Sequence, residues 1–231
     1  MEEGTEERTE EGAEEVPPFE VPHVASRSTD LGIRLVDLAV EISPKGPRLA
    51  YAVPRSTDRD RHGYLWLRMY DGPGKGRPVY DCLHSARQRT CMEDMLCQVC
   101  AGPADRNGDG WLFIDWRREN SPPTWPEQSV TSMPPLCVPC ARVSAYHCPF
   151  LRNNEYAVLR VRKPQLYGVS GAVYSLTAEG WQESEIDSLT AEGWQESEID
   201  YLAEYSKPRI PGMLASRLHR QLRGVTVVAL P

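Results

Sequence analysis

The sequence CQVC at residues 97–100 is matched by CVPC at residues 137–140, and these two pairs decide the fold of the middle of the chain. Zn²⁺ in structural sites is bound by four thiolate or imidazole ligands in a tetrahedron. Two cysteines separated by two residues place both sulfurs on one tight turn, and two such turns complete the coordination. The spacing therefore predicts one structural Zn²⁺ with four ligands, which are Cys97, Cys100, Cys137 and Cys140.

The chain has 7 cysteines, an odd number, so the cysteines cannot all be paired in disulfides. The N-terminal stretch MEEGTEERTEEGAEE has neither the basic start nor the apolar middle of a secretory signal, so we expect a cytoplasmic protein. Thiols stay reduced there, and paired cysteines then bind metal in preference to forming disulfides. A second metal site stays open as an alternative, formed from Cys82, His84, Cys91, His147 and Cys148.

Short apolar segments bounded by turn residues predict strands at IRLVDLAVEI, RLAYAV, YLWLRMYD, WLFIDW, EYAVLRVRK and GVSGAVYSL. Helices are predicted within residues 78–96, at ARVSAYH and at MLASRLHRQL, with VTVVAL as a terminal strand. The fold class predicted is α+β, with a mixed or antiparallel sheet, a few helices and an embedded zinc module. No apolar run approaches the roughly 20 residues of a membrane helix, so we expect no membrane partner.

The domain organisation follows from composition and from an internal repeat. Residues 1–28 are predicted to form a disordered acidic tail. Residues 29–174 are predicted to form an α+β core, which includes the zinc module at residues 82–150. The sequence SLTAEGWQESEID occurs at 175–187 and again, letter for letter, at 188–200. We interpret residues 175–204 as a duplicated acidic insertion, and the sequence assigns no role to the repeated unit. Residues 205–231 are predicted to complete the core with a helix and a strand.

The net charge of -7 is unevenly distributed. Residues 1–20 contain nine Glu and one Arg, and residues 179–204 contain nine acidic residues and no Lys or Arg. The rest of the chain has 25 basic against 15 acidic residues, a balance that suits contact with nucleic acid as well as a plain solvated surface. The candidate contact residues are Arg87, Arg89, Arg117, Arg118, Arg142, Arg152, Arg160 and Arg162, with Trp111, Trp116 or Trp125 for stacking.

The order of elements around the cysteines resembles a treble-clef zinc module. The segments CQVC, WLFIDW and PLCVPCA resemble the zinc framework of the H-N-H and endonuclease VII group of nucleases over residues 97–147. Such nucleases place an Asp-His pair near the hairpin, whereas Ile114, Asp115 and Trp116 stand here and no His lies between Cys100 and Cys137. The resemblance therefore implies the zinc framework, with nuclease activity only in a degenerate form.

A wider resemblance covers residues 78–231, through ARQRTCMEDMLCQVCAGPADRNGDGWLF, PPLCVPCARVSAYHCPFL and PGMLASRLHRQLRGVTVVAL. These segments are similar to uncharacterised actinobacterial proteins of phage-like or mobile-element setting, a resemblance that implies no reaction. With no paired acid and base, no triad and no phosphate loop, the sequence favours a non-enzymatic, zinc-stabilised binding or assembly protein. The alternatives are a protein-protein adaptor of a phage-like system, a degenerate H-N-H-type nuclease, and a Myb-type helix-turn-helix formed by GWQESEIDYLAEY and MLASRLHRQLRG.

Overall fold

The computed structural model describes residues 18–32, 37–72, 76–119, 121–177, 180–183 and 201–231. The fold is α+β, as predicted, with a few helices beside sheets that are antiparallel apart from one parallel pairing. The helices are α1 (Ser85–Asp94), α2 (Val138–His147) and α3 (Pro149–Asn153). The strands before α1 are β1 (Ala25–Arg27), β2 (Leu31–Gly32), β3 (Leu38–Ser43), β4 (Gly46–Tyr51), β5 (Leu65–Trp66), β6 (Met69–Tyr70) and β7 (Pro78–Leu83).

The strands after α1 form most of the main sheet. They are β8 (Arg106–Asn107), β9 (Gly110–Trp116), β10 (Val130–Thr131), β11 (Tyr156–Thr177), β12 (Gly180–Glu183), β13 (Tyr201–Glu204) and β14 (Met213–Val228). The sheet has the order β10-β14-β11-β9-β8, and β12 and β13 pair with β11 while β5 pairs in parallel with β14. The long antiparallel pair of β11 and β14 runs from Val158 opposite Val228 to Val173 opposite Met213, and it forms the centre of the molecule.

Both faces of the sheet are covered at β9 and β11, so consecutive residues of these strands are buried alternately on one face and on the other. Leu112, Ile114 and Val158 lie in the core on the side of α2, while Phe113 and Leu159 lie in a separate core on the other face. This alternation is the period-2 geometry of a strand. The prediction of a strand at WLFIDW is therefore confirmed.

The predicted C-terminal helix at MLASRLHRQL is wrong, because these residues begin β14. Leu218, Arg220 and Leu222 are buried and lie on one face of the strand. α1 covers this face, and Gln88 of α1 donates to the Leu218 carbonyl (2.9 Å) and accepts from the Leu218 N–H (3.0 Å). Arg220 donates to the Met92 carbonyl at the end of α1. With Tyr201–Glu204 also a strand, the helix-turn-helix alternative is excluded.

The structure gives more exact bounds for three further predictions. Val24 and β1 belong to the predicted tail, but Val24 is buried and β1 pairs with β7, so the folded chain begins before residue 29. The helix predicted within residues 78–96 begins only at Ser85, since residues 78–83 form β7. β12 and β13 lie within the predicted insertion 175–204 and both pair with β11. Most of the repeat, residues 184–200, lies outside the described residues.

No helix in the described part of the chain has the length and apolar character needed to cross a membrane.

Candidate metal centre

The four predicted ligands converge on one point. The sulfurs of Cys97, Cys100, Cys137 and Cys140 all lie within 4.8 Å of one another, and the Cys100 and Cys137 sulfurs are 3.9 Å apart. Four sulfurs at about 2.3 Å from a tetrahedral Zn²⁺ stand about 3.8 Å from each other. The observed spacing therefore suits a bound metal ion. All seven cysteines are free thiols, so the cluster contains no disulfide.

The first pair is held by a tight turn. The Ala101 N–H donates to the Cys97 carbonyl (2.9 Å), and the Cys97 N–H donates to the Gly102 carbonyl (2.7 Å). Ala101 has a left-handed backbone (φ 57°), which reverses the chain directly after Cys100. This reversal brings Cys97, which is fully buried, and Cys100, which is exposed, to the same side of the turn.

The second pair lies at the start of α2. Cys137 is the N-cap residue, Pro139 occupies the first turn, where its missing N–H costs nothing, and Cys140 follows one turn after Cys137. The Ala141 N–H donates to the Cys137 carbonyl (2.9 Å), which closes this turn.

The metal centre is part of the hydrophobic core on the α2 side of the sheet. Cys97 and Cys140 pack with Leu112, Leu136 and Leu151, and Cys140 is only 5% exposed. Burial, and then the neighbouring thiols, raise the pKa of the Cys140 thiol above its usual value. A thiolate is unfavourable there without a compensating positive charge, and a divalent cation supplies that charge.

An ion pair joins this region to the main sheet. Arg160 on β11 is 6% exposed and its guanidinium donates to the Asp105 carboxylate, which follows the first cysteine turn. The Asp105 N–H donates to the Leu136 carbonyl (2.9 Å), directly before Cys137. Asp105 therefore connects β11 with the segments that carry both cysteine pairs.

The predicted alternative of a second metal site is not assembled. Among the described residues, no further group of three metal-ligating side chains includes Cys82, Cys91, His147 or Cys148. Cys91 is fully buried, and burial, with Cys97 and Cys100 nearby, raises the pKa of its thiol to about 11. Cys91 is therefore a protonated core residue near neutral pH.

Another cluster was not apparent from the sequence. Ligand atoms of Asp30, Asp71 and His84 lie within 4.8 Å of one another, and the buried His84 Nε2 makes no hydrogen bond. Arg87 already stands between the carboxylates, with its Nη2 2.5 Å from Asp30 and its Nε 3.0 Å from Asp71. Its guanidinium supplies the positive charge that a cation would bring. Since Asp30 and Asp71 lie far from His84 in the sequence, no spacing could have indicated this group.

A hydrogen-bonded serine and histidine pair was also not predicted from the sequence. His219 Nε2 and Ser170 Oγ are 2.8 Å apart across the β11 and β14 pair. Burial, and then the charges of Arg217 and Arg118, lower the pKa of His219 to about 3. Ser170 is only 2% exposed, so its hydroxyl cannot reach a substrate. The pair connects two strands and is not a catalytic arrangement.

Half of the eight arginines proposed for nucleic acid are engaged in ion pairs with partly or fully buried side chains. Arg87 and Arg160 lie in largely buried ion pairs, and neither can contact a phosphate backbone. Arg89 and Arg118 pair with Glu93 and Asp115. Exposed positions remain at Arg117, Arg142, Arg152 and Arg162.

A basic surface at one end of the main sheet contains residues that the sequence reasoning missed. Lys163 and Arg223 are directly opposite in the β11 and β14 ladder, so their side chains share one face. Arg106 lies opposite Trp111, which lies opposite Val161, two residues before Lys163 on that same face. We call Arg106, Lys163 and Arg223 the basic end of the sheet. All three are exposed, and none forms an ion pair with a described acidic residue.

A groove of about 510 Å³ lies between this surface and the metal centre. It is enclosed by the end of α1, the first cysteine turn, β8 and β9, and the start of α2. Its apolar lining consists of Met95, Leu96, Pro103, Ala104, Trp111, Val138 and Pro139. The charged groups beside it are Asp94, Asp105 and Arg106, and Cys137 also contributes to its wall.

No family model, curated protein or solved structure matches the chain. The functional interpretation therefore depends on the residues of the site.

Proposed function

We propose that the four cysteines bind one structural Zn²⁺ and that the protein is a non-enzymatic binding module whose ligand is nucleic acid. Support for zinc comes from the ligand set, because four thiolates in a tetrahedral arrangement suit Zn²⁺ and leave no coordination position for a reacting water. The knuckle, hairpin and helix order around the ion is that of a treble-clef-like module. Elemental analysis of the purified protein tests this part, with one zinc per chain as the expected result.

The observation that carries the binding role is the like-charged pair of Lys163 and Arg223. Like charges placed directly opposite in an antiparallel ladder destabilise the sheet. Among the described residues neither cation forms an ion pair, although Arg223 donates to the Gln221 side-chain oxygen (2.8 Å) and the Glu127 carboxylate accepts from the Gly224 and Val225 N–H groups beside it (3.1 and 2.8 Å). A phosphate backbone would neutralise both charges, and Arg106 adds a third cation on the same face of the sheet.

The experiment is a titration of labelled nucleic acid at several salt concentrations. If three cations each displace one counterion from a single strand, the logarithm of the binding constant should fall with the logarithm of salt concentration with a slope of about -2.1. The double variant Lys163→Glu and Arg223→Glu should bind more weakly and show a slope no steeper than about -0.7. Lys45→Glu is the control, because Lys45 is equally exposed but lies in the turn between β3 and β4.

Absence of binding at low salt by protein that retains its metal would exclude the nucleic-acid role. The adaptor function would then be the better interpretation, and it has support of its own. Phe19, Tyr80 and Tyr146 are all more than half exposed. The ring of Phe19 contacts those of Tyr80 and His147 edge-on, so these aromatic groups form one surface. Such a surface suits a protein partner.

A further inference from the structure

The groove beside the metal centre has both parts that a single-stranded nucleic acid requires. Trp111 is half-buried and forms part of its wall, and the Arg106 guanidinium lies 5.1 Å from the centre of the Trp111 ring system. Aromatic rings and guanidinium planes are the two surfaces on which unpaired bases stack. The volume of about 510 Å³ falls in the ordinary range for small-ligand sites.

The position of the groove relative to the basic end of the sheet fits the spacing of a nucleotide. Trp111 pairs with Val161, and Lys163 lies two residues further along β11 on the same face, which is about 7 Å. Lys163, on the strand next to Trp111, therefore lies where a phosphate flanking a stacked base would lie, and Arg223 stands one strand further away. Asp94 and Asp105 on the opposite side disfavour phosphate within the groove itself but can accept hydrogen bonds from a base edge.

We infer that the protein binds single-stranded nucleic acid and holds one unpaired base in the groove, stacked against Trp111 and Arg106. This inference rests on the proposed nucleic-acid role and specifies its ligand. The faces of bases in a duplex are already stacked, so a duplex can meet only the cations and gains nothing from the groove. A basic peptide would fit the two carboxylates but would be repelled by Arg106, Lys163 and Arg223.

The test compares a labelled single strand of mixed sequence with the same strand annealed to its complement, using fluorescence anisotropy. We expect Trp111→Ala to weaken binding of the single strand about 5- to 150-fold, the loss that removal of one stacking partner produces. Binding of the duplex should change less than twofold. Trp111→Phe keeps an aromatic face and should retain most of the affinity for the single strand.

A second variant avoids dependence on the packing of Trp111. Arg106→Lys keeps the charge of an exposed residue but removes the planar guanidinium, so it should weaken the single strand several-fold and leave the duplex unchanged. Metal content is measured for each variant to show that the module is intact.

Two results would overturn the inference. Equal binding of both forms, with no selective effect of Trp111→Ala or Arg106→Lys, would remove the stacking site and leave the proposed function standing. Failure of the wild-type protein to bind either form would remove the function and the inference together.

Discussion

Replacement of Cys140 by serine is the most informative perturbation of the metal centre. Cys140 is 5% exposed, lies one helical turn after Cys137 and packs in the same core as Leu112 and Leu136. A serine hydroxyl is a poor zinc ligand, so Cys140→Ser leaves the ion with three thiolates and an open position. We expect the variant to lose its metal during purification in the presence of a mild chelator.

The energetic consequence is large compared with the stability of the domain. Structural zinc contributes about 10–16 kcal/mol to folding in small peptide systems, whereas whole domains are stable by about 5–15 kcal/mol. Loss of the ion should therefore unfold the region from Cys97 to α2, not merely weaken it. The Arg160 and Asp105 pair connects this region to β11, so the loss should also lower the midpoint of denaturant unfolding for the main sheet.

Cys91→Ser provides the matched control. Cys91 is fully buried and its sulfur lies 3.9 Å from the Cys97 carbonyl, but it is not one of the four converging thiols. The substitution should cost about 1–3 kcal/mol for the buried hydroxyl and leave metal content unchanged. Mass spectrometry for metal and urea unfolding monitor both variants. Full metal retention by Cys140→Ser, or equal loss from Cys91→Ser, would refute the assignment.

Three further variants test the sheet. Arg160→Ala leaves the Asp105 carboxylate without its partner and should lower the free energy of unfolding in urea by about 3 kcal/mol, near the low end for broken buried pairs because Asp105 is 33% exposed. Arg162→Ala breaks an exposed pair with Asp109 and should lower it by less than about 1 kcal/mol. Equal losses in the two variants would contradict this difference. Since the pKa of His219 is lowered to about 3 in the folded state, its stabilising effect is complete above about pH 6.5 and is lost as the pH falls, by about 1.4 kcal/mol per unit. His219→Gln, which can still bond to Ser170, should flatten this part of the pH profile, and an unchanged profile would show that His219 is not responsible.

The metal centre was the part of the molecule that the sequence could indicate. The two cysteine pairs lie far apart in the chain, yet each pair has a local spacing that only a few structures explain. The convergence of the four sulfurs within 4.8 Å could therefore be predicted without knowing the rest of the fold. The strand at residues 110–116 was also predictable, since the run WLFIDW is mostly apolar and aromatic and turn residues precede it.

The C-terminal strand was not predictable, and the reason is physical. Leu218 and Leu222 are spaced by four residues, which satisfies one face of a helix and one face of a strand equally well. Arg220 interrupts the alternation of apolar and polar residues expected for this strand, because a charged residue stands at a buried position. Its guanidinium is held there by hydrogen bonds to the Met92 and Pro164 carbonyls. The decisive partner, β11, is distant in sequence, so tertiary pairing overrode the local preference for a helix.

The basic end of the sheet escaped the sequence reasoning for a similar cause. Arg106, Lys163 and Arg223 come from three distant segments, and only the ladder registers bring them together. Two of the arginines proposed from the sequence, Arg87 and Arg160, form ion pairs with Asp30 and Asp105. A count of charges cannot distinguish a cation that supports the fold from one that is free for a ligand.

The pairing of both β12 and β13 with β11 bears on how this chain has grown. Residues 184–200 connect the two strands, and removal of the second copy of the repeat would leave only residues 184–187. Because both ends of the connection are fixed to the same strand, a whole repeat unit can be added between them without moving any rung that β12 or β13 makes with β11. An added residue in β11 would instead shift every rung of the ladder beyond it.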